Sequence, residues 1–156
     1  MMEQSRATLA CRAAGTLRRI EKPWGYELIF AHTDRYVGKI LHIRAGHRLS
    51  RQYHRAKEET LMVESGELEL EIGGDAERVR VRMRSRDVFH VAPRTIHRLV
   101  GVTDVDVIEV STTELEDVVR LADDYGRESD RALPVSLASV RQNRRSRQAS
   151  LAARTA

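Results

Sequence analysis

Cysteine occurs once in this 156-residue chain, at Cys11, so no internal disulfide can form. Nothing in the composition asks for an oxidising compartment, and a reducing cytoplasm is the expected setting. No apolar run approaches the ~20 residues that a membrane-spanning helix needs, so no membrane contact is expected. The start of the chain lacks the apolar core of a secretory signal, because Leu9, Ala10 and Cys11 are hemmed in by Arg6 and Arg12. No internal repeat is visible at the period of solenoids or propellers. Aromatic residues are scarce: all seven lie between Trp24 and Tyr125, and all six histidines lie in the same span. Lysine is scarcer still, with only Lys22, Lys39 and Lys57 against 24 arginines.

What is abundant is arginine, and it gives a net charge of +4. A basic balance of this kind suggests a polyanion partner until it is placed along the chain. Residues 1–19 carry +3 and residues 128–156 carry +4, whereas residues 20–127 hold 17 basic and 20 acidic residues, a net of −3. The basic character therefore belongs to the ends, and nucleic acid is not expected as the partner of the central segment. Three regions are expected: a tail over 1–19, one domain over 20–127, and an Arg-rich tail over 128–156 with no glycine or aromatic residue.

The central segment alternates with the period of β-strands. Leu68, Leu70 and Ile72 alternate with Glu67, Glu69 and Glu71, and Val79, Val81 and Met83 with Arg78, Arg80, Arg82 and Arg84. The join at Gly73-Gly74-Asp75 makes this a hairpin with one buried face and one charged face. Short runs of β-branched and aromatic residues at 26–30, 36–43, 87–91, 96–100 and 105–110 bring the total to about eight strands without intervening helices. That pattern predicts an all-β, single-domain antiparallel sandwich or barrel. One short helix is expected over Glu114–Leu121, capped by Thr112 or Thr113.

The chemistry concentrates in two short stretches. In Gln52-Tyr53-His54 the i, i+2 spacing places the amide and the imidazole on one face of a strand. Glu59 follows after a polar turn and can return on a neighbouring strand, and His97 opens a later one. Two imidazoles, a carboxylate and an amide oxygen form a mixed N/O set suited to Zn²⁺, Mn²⁺ or Fe²⁺, with room for water or substrate. His32, His42, His47 and His90 read as surface or packing residues. Tyr53, Met62 and Trp24 read as wall or core, and Gly66 as a turn glycine.

Gly46, His54, Glu59 and Gly66 fall on the spacing of the first motif of the cupin superfamily, with Gln52 in the place of its first histidine. In the second motif His97 matches, but Arg86, Ala92 and Arg94 stand where the pattern prefers Gly, Pro and Gly. Adding Lys22-Pro23-Trp24-Gly25-Tyr26-Glu27, Ile108-Glu109-Val110 and Asp123-Asp124-Tyr125-Gly126-Arg127, the chain resembles the type II mannose-6-phosphate isomerases. In that family this cupin is usually the C-terminal module of a bifunctional enzyme with a mannose-1-phosphate guanylyltransferase, for which the residues upstream leave no room.

The resemblance implies a jelly-roll barrel and the metal ligands Gln52, His54, Glu59 and His97, with Zn²⁺ first and Mn²⁺, Co²⁺, Fe²⁺ or Ni²⁺ also suited. It implies interconversion of mannose 6-phosphate and fructose 6-phosphate, or of a related sugar phosphate, and a homodimer. Arg127 is the residue expected to meet phosphate or assist proton transfer, and Lys39 the second catalytic candidate. Lys57 reads either as a proton-transfer group or as a solvated rim charge. Three departures, at Ala92, at Arg94 and at Thr60 after the metal glutamate, bear on substrate identity. The alternatives are a non-catalytic metal-binding cupin that holds a sugar or sugar phosphate, and a metal cupin acting on another small molecule.

Overall fold

The computed structural model describes residues 17–127, and the two expected basic tails lie outside them apart from residues 17–19. The described chain forms eleven strands: β1 (Arg18–Lys22), β2 (Gly25–His32), β3 (Val37–Ile43), β4 (Arg51–Tyr53), β5 (Glu59–Ser65), β6 (Glu67–Ile72), β7 (Val79–Arg84), β8 (Val88–Val91), β9 (His97–Gly101), β10 (Val105–Ser111) and β11 (Val119–Ala122). They pair antiparallel in two sheets, ordered β1-β2-β3-β10-β5-β8 and β11-β4-β9-β6-β7. The all-β expectation holds. The expected hairpin is β6–β7, in register from Glu67 opposite Arg84 to Ile72 opposite Val79. Its outer face carries the Glu–Arg pairs, among them Arg80 with Glu71 at 3.2 Å and Arg84 with Glu67 at 3.2 Å.

The expected helix over Glu114–Leu121 is not there, and no helix occurs among the described residues. Residues 113–118 are turns, with Leu115 N donating to Thr113 O and Val118 N to Glu116 O, and Val119–Ala122 then pairs with β4 as β11. Thr112 and Asp117 are engaged by the 55–58 segment instead. The Asp117 carboxylate accepts the backbone N–H groups of Arg55, Ala56 and Lys57, and Thr112 Oγ1 accepts that of Glu58. These tertiary bonds, together with the β-branched Val118-Val119 pair, override a weak local helix preference.

The interior is divided by chemistry along the strands. On β3 the inward parity is Lys39, Leu41, Ile43; on β10 it is Glu109, Val107, Val105; on β5 it is Glu59, Leu61, Val63. The strands are in register with Leu41 opposite Val107 and Lys39 opposite Glu109. One end of the sandwich is thus an apolar core, built from Leu41, Ile43, Val63, Leu68, Leu70, Met83, Val91, Leu99, Val105 and Val107. The other end collects buried ionisable side chains around a cavity of about 350 Å³, within the ordinary range for small-molecule sites.

Positive backbone φ angles mark the turns between strands. Gly66, at φ 80° between β5 and β6, could not carry a Cβ, which would lie 2.2 Å from the Asp104 carbonyl. Arg86 and Arg94 adopt φ 73° and 66°. These are the two positions at which the cupin pattern prefers glycine, so that preference reflects a left-handed backbone, and here arginine bears the strain.

Candidate metal centre

His54, Glu59 and His97 converge at one wall of the cavity, with one ligand atom from each lying within 4.8 Å of the others. His97 opens β9, and Gln52 on β4 is its cross-strand partner, so the short β4–β9 pairing alone brings the amide beside an imidazole. Residues 55–58 carry the chain from the β4 sheet to β5 in the other sheet. The loop is pinned at both ends: Asp117 accepts its amides, Glu58 and Thr112 exchange backbone and side-chain bonds, and Arg94 N donates to His54 O at 2.6 Å. Glu59 therefore returns to the interior at a set distance from His54.

Both imidazoles are oriented from behind. His54 Nδ1 faces the Asp117 carbonyl, and His97 Nδ1 faces the Thr95 carbonyl at 2.9 Å. A carbonyl can only accept, so each Nδ1 carries its hydrogen and each Nε2 is left to face the cavity. His97 Nε2 lies 3.1 Å and His54 Nε2 3.6 Å from the same atom, Glu59 Oε1, and His54 Nε2 is buried without a hydrogen-bond partner. Two ring lone pairs and a carboxylate oxygen pointing at one another repel unless a proton or a cation lies among them. The donor set therefore fits a divalent ion, and the carbonyl backing is the outer contact that metal-bound histidines ordinarily have.

The second oxygen of Glu59 is held from the other side. Lys57 Nζ lies 2.5 Å from Glu59 Oε2 and 2.7 Å from Glu109 Oε1, with all three side chains buried. Burial works against the Lys57 charge, but attraction to Glu109 and Glu59 outweighs it and raises the ammonium pKa above its ordinary value. Burial likewise opposes ionisation of Glu59, and a proton shared with His54 and His97, together with the charge of Lys57, reverses this, holding its carboxyl well below the usual range. The rim reading of Lys57 is thus corrected: it is an interior residue. The chain of opposite charges continues from Glu109 Oε1 to Lys39 at 3.6 Å, from Lys39 to Glu27 at 3.9 Å, and from Glu27 to Lys22 at 3.4 Å. All three lysines of the protein line the cavity.

Gln52 lines the same cavity, and its Oε1 accepts a 2.6 Å bond from Ser50 Oγ. Lys39 lines it as a buried member of the charge chain. Arg127 reaches it too, with its guanidinium fixed on Asp123 through Nε at 3.0 Å and through Nη2. Arg94 is exposed and does not line the cavity. Thr60 points away from it, whereas Leu61 forms part of its wall. His32, His42, His47 and His90 lie outside the cavity.

Residues that the sequence reading passed over are Glu109, Asp117 and the indole N–H of Trp24, which is buried against the cavity without a hydrogen-bond partner. Glu109 could have been found by parity, since in Val105-Asp106-Val107-Ile108-Glu109 it shares the inward face with two valines. Asp117 carries no such signal, because its partners lie some sixty residues away.

Known proteins agree with this architecture. Among solved structures, the chain is similar to capsular polysaccharide assembling protein CapF from Staphylococcus aureus (TM-score 0.58, 17% identity, 69% of this chain and 35% of that one). It is also similar to an RmlC-like cupin from Shewanella frigidimarina (0.56, 17%, 65% and 87%) and to KdgF from Halomonas sp. (0.53, 21%, 69% and 95%). At these identities the likeness establishes the cupin fold. A mannose-1-phosphate guanylyltransferase from Escherichia coli (strain K12) is 34% identical over 116 residues, which are 70% of this chain and 23% of that protein. The chain thus spans about a quarter of the length of that relative. The model of one family, described as mannose-6-phosphate isomerase C-terminal, matches residues 12–123, and the chain belongs to that family.

Proposed function

We propose that this chain is a metal-dependent aldose–ketose isomerase that interconverts mannose 6-phosphate and fructose 6-phosphate or a closely related sugar phosphate. The observation that carries the reading is the convergence of His54, Glu59 and His97, with Gln52 beside them, on the wall of a polar cavity in a chain of this family. Family membership supports the substrate class, and the cavity supports the chemistry.

Isomerisation moves a proton between C1 and C2 of the open-chain sugar and passes through an enediolate. A divalent ion held by Gln52, His54, Glu59 and His97 supplies Lewis-acid stabilisation for the developing oxyanion. The chain's own residues do the rest. Lys57 and the backing carbonyls keep the ligand set in place, and the apolar end of the sandwich closes the cavity below. Lys39 donates to substrate oxygens within it, and Arg127, Arg120 and Arg18 give the cavity lining the cations that a phosphate needs. Trp24 Nε1 offers a further donor to a sugar hydroxyl.

The test is a coupled assay of purified, metal-depleted protein with mannose 6-phosphate, after addition of Zn²⁺, Mn²⁺ or Co²⁺. Fructose 6-phosphate is expected with at least one of them. Stoichiometric metal without turnover would remove the isomerase reading and leave a sugar-phosphate-binding module.

A further inference from the structure

We infer that Glu109 is the acid–base group that carries the proton between C2 and C1; this rests on the isomerase reading above. Four carboxylates line the cavity: Glu27, Glu59, Glu109 and Glu116. Glu59 is committed on both oxygens, with Oε1 facing the imidazoles and Oε2 held by Lys57. Glu116 is exposed, where water competes for any substrate contact. Glu27 sits further along the charge chain, beyond Lys39. Glu109 alone is both buried and next to the metal centre. It shares Lys57 Nζ with Glu59, so its Oε1 and Glu59 Oε2 are at most about 5 Å apart.

Both lysines approach Glu109 through Oε1. They align the group along one edge, and they would stabilise negative charge building up on the substrate beside it. A buried ionic chain of this kind is a poor way to stabilise a fold, since apolar residues of similar volume do as well or better. Its position at the reacting end of the cavity gives it a reason to exist.

In the forward direction the Glu109 carboxylate takes the proton from C2 of the open-chain aldose phosphate. The C–H pair becomes the C1=C2 bond, and the carbonyl pair of C1 moves onto O1. Glu109, now a carboxylic acid, returns the proton to C1 as O2 becomes the ketose carbonyl. The protonated Lys39 beside it gives a proton to O1 and recovers one from O2. No oxidant or reductant is needed, and substrate and product are isomers.

The experiment compares wild type, Glu109→Gln and Glu109→Asp as metal-loaded full-length proteins. It measures kcat, metal content, thermal midpoint and the affinity for a reduced open-chain hexitol 6-phosphate, which binds but has no carbonyl to enolise. With E109Q, kcat is expected to fall by about 10²–10⁴-fold, while metal content and hexitol phosphate affinity stay within about threefold of wild type. E109D keeps the charge on a shorter arm, and should lose about 10–10²-fold in kcat with KM little changed. Should E109Q fail to fold, E109D carries the decision. Turnover by a folded, metal-loaded variant within about threefold of wild type would overturn the assignment, as would loss of metal or analogue binding in step with kcat. Absence of turnover by the metal-loaded wild type would instead overturn the isomerase reading, and this inference with it.

Discussion

Lys57 Nζ lies 2.5 Å from Glu59 Oε2, on the opposite side of the carboxylate from the oxygen that faces both imidazoles. The lysine presents Oε1 to the centre and neutralises part of its charge. Lys57→Met keeps the bulk and removes that hold. Divalent metal affinity, measured by competition with a chromophoric chelator, is expected to fall by about 10–100-fold, as for other contacts made behind a metal ligand. An affinity equal to wild type would show that Glu59 is positioned by the imidazoles alone.

The four candidate ligands are not equal. His54 and His97 are each backed by a carbonyl and aimed at one carboxylate oxygen, whereas Gln52 brings a neutral amide already accepting from Ser50. Elemental analysis after gel filtration is expected to give nearly empty protein for His54→Ala, His97→Ala and Glu59→Ala, and partial loading for Gln52→Ala. Full metal content in His54→Ala would place the ion elsewhere.

Asp117 links pH to stability. Burial opposes its charge, but the amides of Ala56, Lys57 and Arg55 more than compensate and lower its pKa. A carboxylate with a depressed folded pKa contributes stability that is fully present above its unfolded value near 3.9 and is lost as pH falls through the folded one. Asp117→Asn is therefore expected to lose roughly 2 kcal/mol at neutral pH, judged from the hydrogen bonds it weakens. Urea titrations of variant and wild type across pH should show this gap closing in the acid range. A gap independent of pH would assign the loss to packing.

Arg86 and Arg94 occupy left-handed backbone, at roughly 1–2 kcal/mol of strain each. Glycine relieves the strain and gives back part of the gain as unfolded-chain entropy. Each of Arg86→Gly and Arg94→Gly should raise stability by about 0.5–1 kcal/mol, seen as a Tm increase of a few degrees. Arg94 is exposed and outside the cavity, so its replacement should leave kcat/KM unchanged. A fall in Tm for both variants would mean that the arginine side chains make contacts that outweigh the strain.

The features that sequence made legible are those encoded locally. The β6–β7 hairpin shows itself in seven alternating charges, and the approach of His54 to Glu59 in the spacing from Gly46 to Gly66. Glu109 is visible only once strand parity is taken seriously, because a single charge in an otherwise apolar strand looks like a misplaced surface residue, whereas Lys39 is pointed to by the family resemblance. For Lys57 the sequence leaves an interior and a rim position open, because it stands among the polar residues Arg55 and Glu58, and the fold places it inside. The turn at 113–118 is the opposite case: its local signals favour a helix, and bonds to residues 55–58 decide the outcome.

The buried charge chain also acts as a gauge of strand alignment. A one-residue slip of β10 against β3 and β5 would turn Ile108 and Val110 inward and carry Glu109 to the outer surface. For most strands such an error exchanges one greasy side chain for another and is only modestly penalised. Here it would strand Lys57 and Lys39 in the interior without their shared carboxylate, a far heavier penalty. The same residues that equip the cavity for proton transfer thereby reject the misaligned sheet while the chain is folding.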